Sequence, residues 1–143
     1  MSKKYEEAAQ NIQDILTSAA LARKNSSATY SRFPVGAALE DTSGRFWTGS
    51  NVESSSYGLS MCAERVALFK ALSEGERSFK RIAVIAGGNK VATPCGACRQ
   101  LLNDYCSDIE VILYNPDLDE IETYLLSELI PHPFSEKNFS RGM

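Results

Sequence analysis

The sequence has one histidine, His132, and no segment in which lysine or arginine is concentrated. The net charge is −3, whereas binding to a polyanion normally requires a basic patch. No apolar run approaches the roughly 20 residues that cross a bilayer. Residues 1–10 carry lysines without the apolar core of a signal peptide. We therefore expect no nucleic-acid partner, no membrane association and a cytoplasmic location.

Disulfides are also not expected, although the chain has four cysteines. Without a secretory signal, cysteines indicate a reducing compartment and favour metal or thiol chemistry. The length of 143 residues, with 43% hydrophobic and 23% charged residues, is typical of one ordinary globular domain. We therefore predict a single domain over residues 1–143.

Hydrophobic periodicity predicts an α/β fold. Apolar residues spaced by three and four predict helices, and short alternating or continuous apolar runs bounded by turn residues predict strands. Only residues 115–120 separate the last two strands, too few for a parallel crossover, so these strands should be antiparallel. The prediction is a three-layer α/β/α domain with a five-stranded mixed sheet. Its helices are 5–22, 62–75 and 95–105, and its strands are 35–40, 45–52, 82–86, 109–114 and 121–125.

Three cysteines in two short motifs are the strongest chemical signal. Cys62 opens the motif CAER, and Cys95 and Cys98 lie in the motif PCGACRQ. Each motif begins a predicted helix, whose N-terminus favours thiolates. Cys95 and Cys98 are three residues apart, so both sulfurs can face one point. We predict that these three residues bind zinc, because three protein ligands leave the fourth position that a catalytic site keeps for water.

Two charged residues adjoin the first cysteine. Glu64 is the proton carrier that a water in such a site would need. Three thiolates on a divalent cation leave a formal charge of −1, and Arg65 is available to offset it. We therefore predict that Arg65 donates a hydrogen bond to a ligand sulfur.

The cysteines admit two other interpretations. Cys95 and Cys98 alone would suit a redox pair, but such a pair needs neither a third cysteine nor a carboxylate beside it. A closed structural site would need Cys106 as a fourth ligand. Cys106 follows a predicted helix of about ten residues, roughly 15 Å long, so we expect it to be a small buried hydrophobic residue instead.

The chain resembles the small, homotetrameric, zinc-dependent cytidine deaminases of the cytidine and deoxycytidylate deaminase family. The resemblance is carried by four ordered stretches: YSRFPVGAAL at 30–39, GSNVE at 49–53, SYGLSMCAER at 56–65 and PCGACRQ at 94–100. A pair of cysteines after proline, with a glutamate that is not a ligand, is the signature of zinc nucleobase deaminases. Cysteine rather than histidine as first ligand resembles the tetrameric subgroup.

The resemblance implies one zinc ion per subunit and active sites completed by neighbouring subunits. It implies that Phe33 packs on the pyrimidine and that Asn51 and Glu53 hydrogen-bond the ribose. The loop containing Ser55 and Tyr57 would cover the base. The implied activity is hydrolytic deamination of cytidine and 2′-deoxycytidine to uridine and 2′-deoxyuridine with release of ammonia, as in pyrimidine salvage. The implied partner is therefore a small nucleoside.

The sequence differs from the family pattern in two places, and three alternative functions remain open. The chain has Ser54 and Ser55 where the family commonly has asparagine and alanine, and the segment around Phe134 lacks the usual glycine context. Another aminopyrimidine nucleoside, such as a nucleoside antibiotic, is therefore an alternative substrate. A polynucleotide-editing deaminase should show a basic groove and a histidine ligand, which this chain lacks. A non-enzymatic zinc or thiol-redox protein would need no substrate pocket.

Overall fold

A mixed sheet of five strands forms the centre of the protein, in a computed structural model that describes residues 3–139. The strand order is β2-β1-β3-β4-β5. Strands β3 and β4 are parallel, and the other neighbouring pairs are antiparallel, including the last two strands as predicted. The strands are β1 Val35–Asp41, β2 Phe46–Ser50, β3 Phe79–Ala86, β4 Glu110–Asn115 and β5 Glu120–Leu125. The helices are α1 Lys3–Glu7, α2 Gln10–Arg23, α3 Ala63–Ser73, α4 Gly96–Tyr105 and α5 Leu126–Leu129.

Both faces of the central strands β1, β3 and β4 are buried, which confirms the predicted α/β/α layers. On one face, Ile15, Leu16 and Ala19 of α2 pack against alternate residues of the three central strands. On the other face, side chains of α3, α4 and α5 pack on the intervening positions. The alternation follows from the two-residue period of a strand. The second-face residues on the central strands are Ala37, Leu39, Ile82, Val84, Val111 and Leu113.

The first predicted helix is wrong in one respect, because 5–22 is not continuous. The helix is interrupted between Glu7 and Gln10, where Ala9 has the extended ψ of 148°. The side-chain amide of Gln13 donates hydrogen bonds to the carbonyls of Glu6 and Ala8, at 3.1 and 2.8 Å. These contacts satisfy carbonyls at the end of α1 that an unbroken helix would satisfy internally.

The fold brings the two cysteine motifs together by placing the beginnings of α3 and α4 near one end of the central strands. Gly49 of β2 permits the close approach of α3: a Cβ atom there would lie 2.4 Å from the carbonyl oxygen of Ala63. Strand β3 ends at Ala86, and residues 87–95 then lead to α4. Across residues 3–139, no helix combines the length and apolar character needed to cross a membrane.

Candidate functional site

Three cysteine sulfurs form a cluster at the start of two helices. Cys62 is the N-cap residue of α3, Cys95 is the N-cap residue of α4, and Cys98 lies in the first turn of α4. The Sγ atoms of Cys62 and Cys95 are 3.7 Å apart, and those of Cys95 and Cys98 are 3.4 Å apart. All three lie within 4.8 Å of one another. The structure thus brings together the three residues that the sequence predicts as ligands.

This donor set fits zinc. A tetrahedral zinc ion with sulfur ligands at about 2.3 Å requires sulfurs about 3.8 Å apart, close to the observed spacing. Among residues 3–139, the group of cysteine, histidine or acidic side chains close enough together to hold a metal ion is Cys62, Cys95 and Cys98. Cys106 lies apart from it, buried in the core between α4 and the sheet, as predicted. Three ligands leave one coordination position for water or substrate.

The thiols of the cluster differ in acidity. The pKa of Cys62 is lowered to about 5, first by a hydrogen bond with Cys98 and also by a hydrogen bond from Arg65. The pKa of Cys98 is raised, first by that same bond to Cys62 and then by burial. Of these two thiols Cys62 ionises first, and metal binding requires the release of the remaining thiol protons.

Arg65 lies beside the first cysteine. Its Nη2 is 3.3 Å from Cys62 Sγ, which is the contact that the sequence predicts. Its Nε is buried and has no hydrogen-bond partner in the described part of the chain. The guanidinium therefore places positive charge next to a cluster that would carry net negative charge with a divalent ion bound.

Glu64 is buried at the cluster, with only 5% of its surface exposed. It lies in the first turn of α3, where the helix N-terminus stabilises a carboxylate. Burial nevertheless raises the pKa of Glu64, and the nearby charge of Cys62 adds to this effect. A carboxyl group with a raised pKa, next to a metal site, can both accept and return a proton.

A cavity of about 270 Å³ opens onto this cluster. Its walls are mostly apolar, and the only charged side chains among the described residues that line it are Glu53 and Glu64. It is large enough for one small planar ring with a polar substituent. The lining residues are Ser31, Phe33, Val35, Asn51, Glu53, Cys62, Ala63, Glu64, Val84, Ala86, Ala92, Thr93, Pro94 and Cys95.

Glu53 is held at the rim of the cavity by the segment before β1. Its carboxylate accepts hydrogen bonds from the backbone N–H groups of Tyr30 and Ser31, at 3.0 and 2.9 Å, and from the Ser31 hydroxyl. These bonds lower the pKa of Glu53, the serine hydroxyl having the largest effect. The same Ser31 Oγ accepts a hydrogen bond from the N–H of Phe33 at 3.1 Å. The Ser31 hydroxyl therefore contacts both the carboxylate of Glu53 and the backbone of Phe33, whose aromatic ring lines the cavity.

Most hydrogen-bonding positions of the Asn51 side chain are used by other residues of the protein. Its Nδ2 donates to the carbonyl of Phe33 at 2.9 Å. Its Oδ1 accepts from the N–H of Val35 at 2.9 Å and from the Ser26 hydroxyl. An amide offers two donors and two acceptor positions, so one N–H of Asn51 remains available to a ligand. Toward a hydroxyl, Asn51 can therefore act as a donor only.

Two predicted site residues lie outside this cavity. Tyr57 is exposed and lines a neighbouring hollow with Tyr30, against whose ring it packs edge-on with centroids 5.9 Å apart. Ser55 is exposed and lines neither space in the described structure. Their predicted contacts with a substrate remain predictions.

Sequence reasoning assigned no role to Ser31 or Thr93, although both line the cavity. Ser31 stands in one of the four matched stretches, two residues before Phe33. Its hydroxyl, so close to a predicted substrate-binding residue, could have indicated a place at the cavity. Thr93 stands just before the second cysteine motif, in a stretch with no motif of its own. Its position at the cavity follows from the path of residues 87–95 after β3.

Comparison with known proteins agrees with this geometry. The family model described as the cytidine and deoxycytidylate deaminase zinc-binding region matches residues 9–114. A cytidine deaminase of Halalkalibacterium halodurans is 44% identical over 129 residues, which cover 90% of this chain and 97% of that protein. One from Sporosarcina psychrophila is 38% identical over 130 residues, covering 91% and 96%. The crystal structure of cytidine deaminase from Burkholderia pseudomallei superposes with a TM-score of 0.81 at 41% identity, covering 85% of this chain and 98% of that one.

Proposed function

The chain belongs to the cytidine and deoxycytidylate deaminase family, and from this premise we propose that it deaminates cytidine and 2′-deoxycytidine hydrolytically. The reaction consumes one water and yields uridine or 2′-deoxyuridine and ammonia. Cys62, Cys95 and Cys98 hold the zinc ion, which supplies an activated water when it is bound. The observation that carries the proposal is the buried carboxyl of Glu64, next to three sulfurs at zinc-binding distances and facing a cavity of nucleobase size.

Glu64 moves the protons of the reaction. It accepts a proton from the attacking water and delivers it to the pyrimidine ring nitrogen. It then passes a proton to the departing amine, so that one carboxyl group acts as base and acid in turn. Burial of Glu64 supports this role, because a raised pKa brings its protonated and ionised forms closer in energy near neutral pH.

The remaining cavity residues bind and orient the nucleoside. Phe33 packs against the pyrimidine ring on the apolar side of the cavity. Glu53 accepts a hydrogen bond from a ribose hydroxyl, and Asn51 donates its free N–H to a ribose oxygen. Ser55 and Tyr57 cover the base, with Tyr57 reaching the site of a neighbouring subunit.

The substrate is the free nucleoside rather than its phosphate. The cavity lining contains no lysine or arginine among the described residues, and its rim carries the carboxylate of Glu53. A phosphate group beside the ribose would therefore meet a like charge with no compensating cation.

The protein assembles as a homotetramer with one zinc ion per subunit and acts in cytoplasmic pyrimidine salvage. Support for an oligomer comes from three apolar side chains near the cavity that are exposed in one subunit: Val52 at 49%, Tyr57 at 75% and Leu59 at 72%. Large apolar side chains left exposed close together in the sequence are consistent with a subunit interface. The whole chain, residues 1–143, forms a single domain.

A nucleoside panel tests this function. Purified protein with measured zinc content is incubated with cytidine, 2′-deoxycytidine, cytidine monophosphate, cytosine and an aminopyrimidine nucleoside antibiotic, and loss of the 4-amino group is followed by ultraviolet absorbance. We expect turnover of the first two and little of the monophosphate. Stoichiometric zinc without turnover of cytidine would contradict the proposed activity, and preference for the antibiotic would replace the proposed substrate.

A further inference from the structure

Arg99 follows the last zinc ligand directly, and the proposed chemistry gives it no task. Its half-buried guanidinium makes three hydrogen bonds. Nε donates to the carbonyl of Pro94 at 2.6 Å, and Nη2 donates to the Thr93 hydroxyl at 2.7 Å. Nη1 donates to the carbonyl of Leu129 at 2.7 Å. One side chain therefore contacts two residues before Cys95 and the last residue of α5.

The stretch 91–94 is anchored at its end by these bonds, and its Val91 packs against the core. It has no regular secondary structure, and it carries the chain from the loop after β3 to the ligand Cys95. Among residues 3–139, every hydrogen bond made to 91–94 comes from Arg99. The nearest other anchor is the side-chain amide of Asn115, which binds the carbonyls of Gly88 and Lys90 at 3.1 and 3.0 Å.

The contact with α5 fixes the other side of the guanidinium. A planar guanidinium presents several N–H donors in a rigid fork, so binding at one end restricts orientation at the other. Leu129 packs against the core that α3, α4 and the sheet share. Arg99 thus connects an irregular stretch before a metal ligand to the end of α5, whose Leu129 is held by apolar packing.

We propose that Arg99 is a positioning residue of the zinc site, which ties residues 93–94 to the end of α5 and so fixes Cys95 Sγ relative to Cys62 and Cys98. This rests on the zinc site of the proposed function. Its consequence is measurable without any substrate, because a displaced Cys95 sulfur weakens metal binding. Groups that orient metal ligands typically change metal affinity by about 10- to 100-fold when they are removed.

Zinc affinity of Arg99→Gln tests the proposal, measured by competition with a chromophoric chelator at fixed pH. Arg77→Gln is the matched control, because Arg77 also donates to two backbone carbonyls, those of Leu72 and Glu76, both at 2.8 Å. We expect the zinc dissociation constant to rise about tenfold or more in Arg99→Gln and to stay within about twofold of the wild type in Arg77→Gln, whose arginine is outside the cavity lining. Absorption of the Co²⁺-substituted protein should likewise change only in Arg99→Gln.

Two milder variants decide the matter if Arg99→Gln does not fold. Arg99→Lys keeps the charge, but one ammonium group cannot span three acceptors, so its zinc affinity should fall nearly as far. Thr93→Val removes one of the three bonds and should raise the dissociation constant about threefold. Wild-type affinity in Arg99→Lys and Thr93→Val would overturn the proposal, as would equal affinities of Arg99→Gln and Arg77→Gln. Failure of the wild type to bind zinc would instead overturn the proposed function as well.

Discussion

Replacing Glu64 with glutamine should remove turnover while leaving the metal and the fold in place. Glutamine has nearly the size of glutamate and is neutral, so it fits a position that is 5% exposed without leaving a cavity or a buried charge. It cannot accept and return a proton. The only other carboxylate that lines the cavity in the described structure, Glu53, is held at the rim by Tyr30 and Ser31 and cannot replace it.

The magnitude follows from the absence of a substitute base within the described cavity. General acid–base catalysis typically contributes about 10²- to 10⁴-fold, equivalent to roughly 2.7–5.4 kcal/mol in the barrier. Because Glu64 serves both proton transfers, we expect the loss in kcat to lie toward the upper part of this range. The KM for cytidine should change little, since the cavity walls and the rim contacts remain.

The assay is continuous ultraviolet detection of cytidine loss, together with zinc analysis of each preparation. Glu74→Gln is the control, because Glu74 lies exposed at the end of α3, in a surface ion pair with Arg45 at 3.5 Å. This variant should retain activity within about twofold, as expected for a surface ion pair. More than a tenth of wild-type turnover in zinc-loaded Glu64→Gln would refute the assigned role.

Three further variants test the parts that support the site. Ser31→Ala should raise the KM for cytidine about 3- to 10-fold, because Glu53 loses its orienting hydroxyl. The KM for 2′,3′-dideoxycytidine, which lacks the ribose hydroxyls, should change less, and Ser31→Thr should restore much of the loss for cytidine. Equal effects of Ser31→Ala on both substrates would contradict this role of Glu53. Asp41→Asn should destabilise the protein by roughly 1–3 kcal/mol at pH 7, since its carboxylate accepts bonds from Ser43 and the Trp47 indole. The pKa of Asp41 is lowered to about 2 in the fold, first by the Ser43 hydroxyl. The stability difference between wild type and Asp41→Asn, measured by urea titration, should therefore disappear as the pH falls from about 4 to 2. A stability difference independent of pH would exclude the carboxylate as its source. Gly49→Ala should lower the free energy of unfolding by about 1–3 kcal/mol, whereas Gly58→Ala, with open space around it, should not; equal stability of the two variants would contradict the close packing of α3 on β2.

The sequence predicted the sheet well because its strands have clear hydrophobic patterns. The continuous apolar run in β3 indicated a strand, and the short connection between β4 and β5 required an antiparallel pair. The break after α1 was missed because Ala8 and Ala9 are good helix formers. The side chain of Gln13 binds the carbonyls of Glu6 and Ala8 at the break, and the hydrophobic pattern does not reveal these contacts.

The candidate site divides in the same way. The three cysteines and Glu64 stand in two compact motifs, and the chemistry of a catalytic zinc site, together with the resemblance to the deaminases, predicted that the motifs come together. The hydrogen bonds of Asn51 with Phe33 and Val35 join residues that are 16 to 18 positions apart. Such tertiary contacts depend on the whole fold and not on local sequence. They determine which donors and acceptors of Asn51 remain for a ligand.

The central claim is that three thiolates bind zinc and leave one position for water. X-ray absorption spectroscopy at the zinc edge, on protein purified without added metal, tests this claim most directly. It should find one zinc per chain with three sulfur neighbours at about 2.3 Å and one oxygen neighbour at about 2.0–2.2 Å. Four sulfur neighbours, or protein that contains no stoichiometric zinc, would contradict the account.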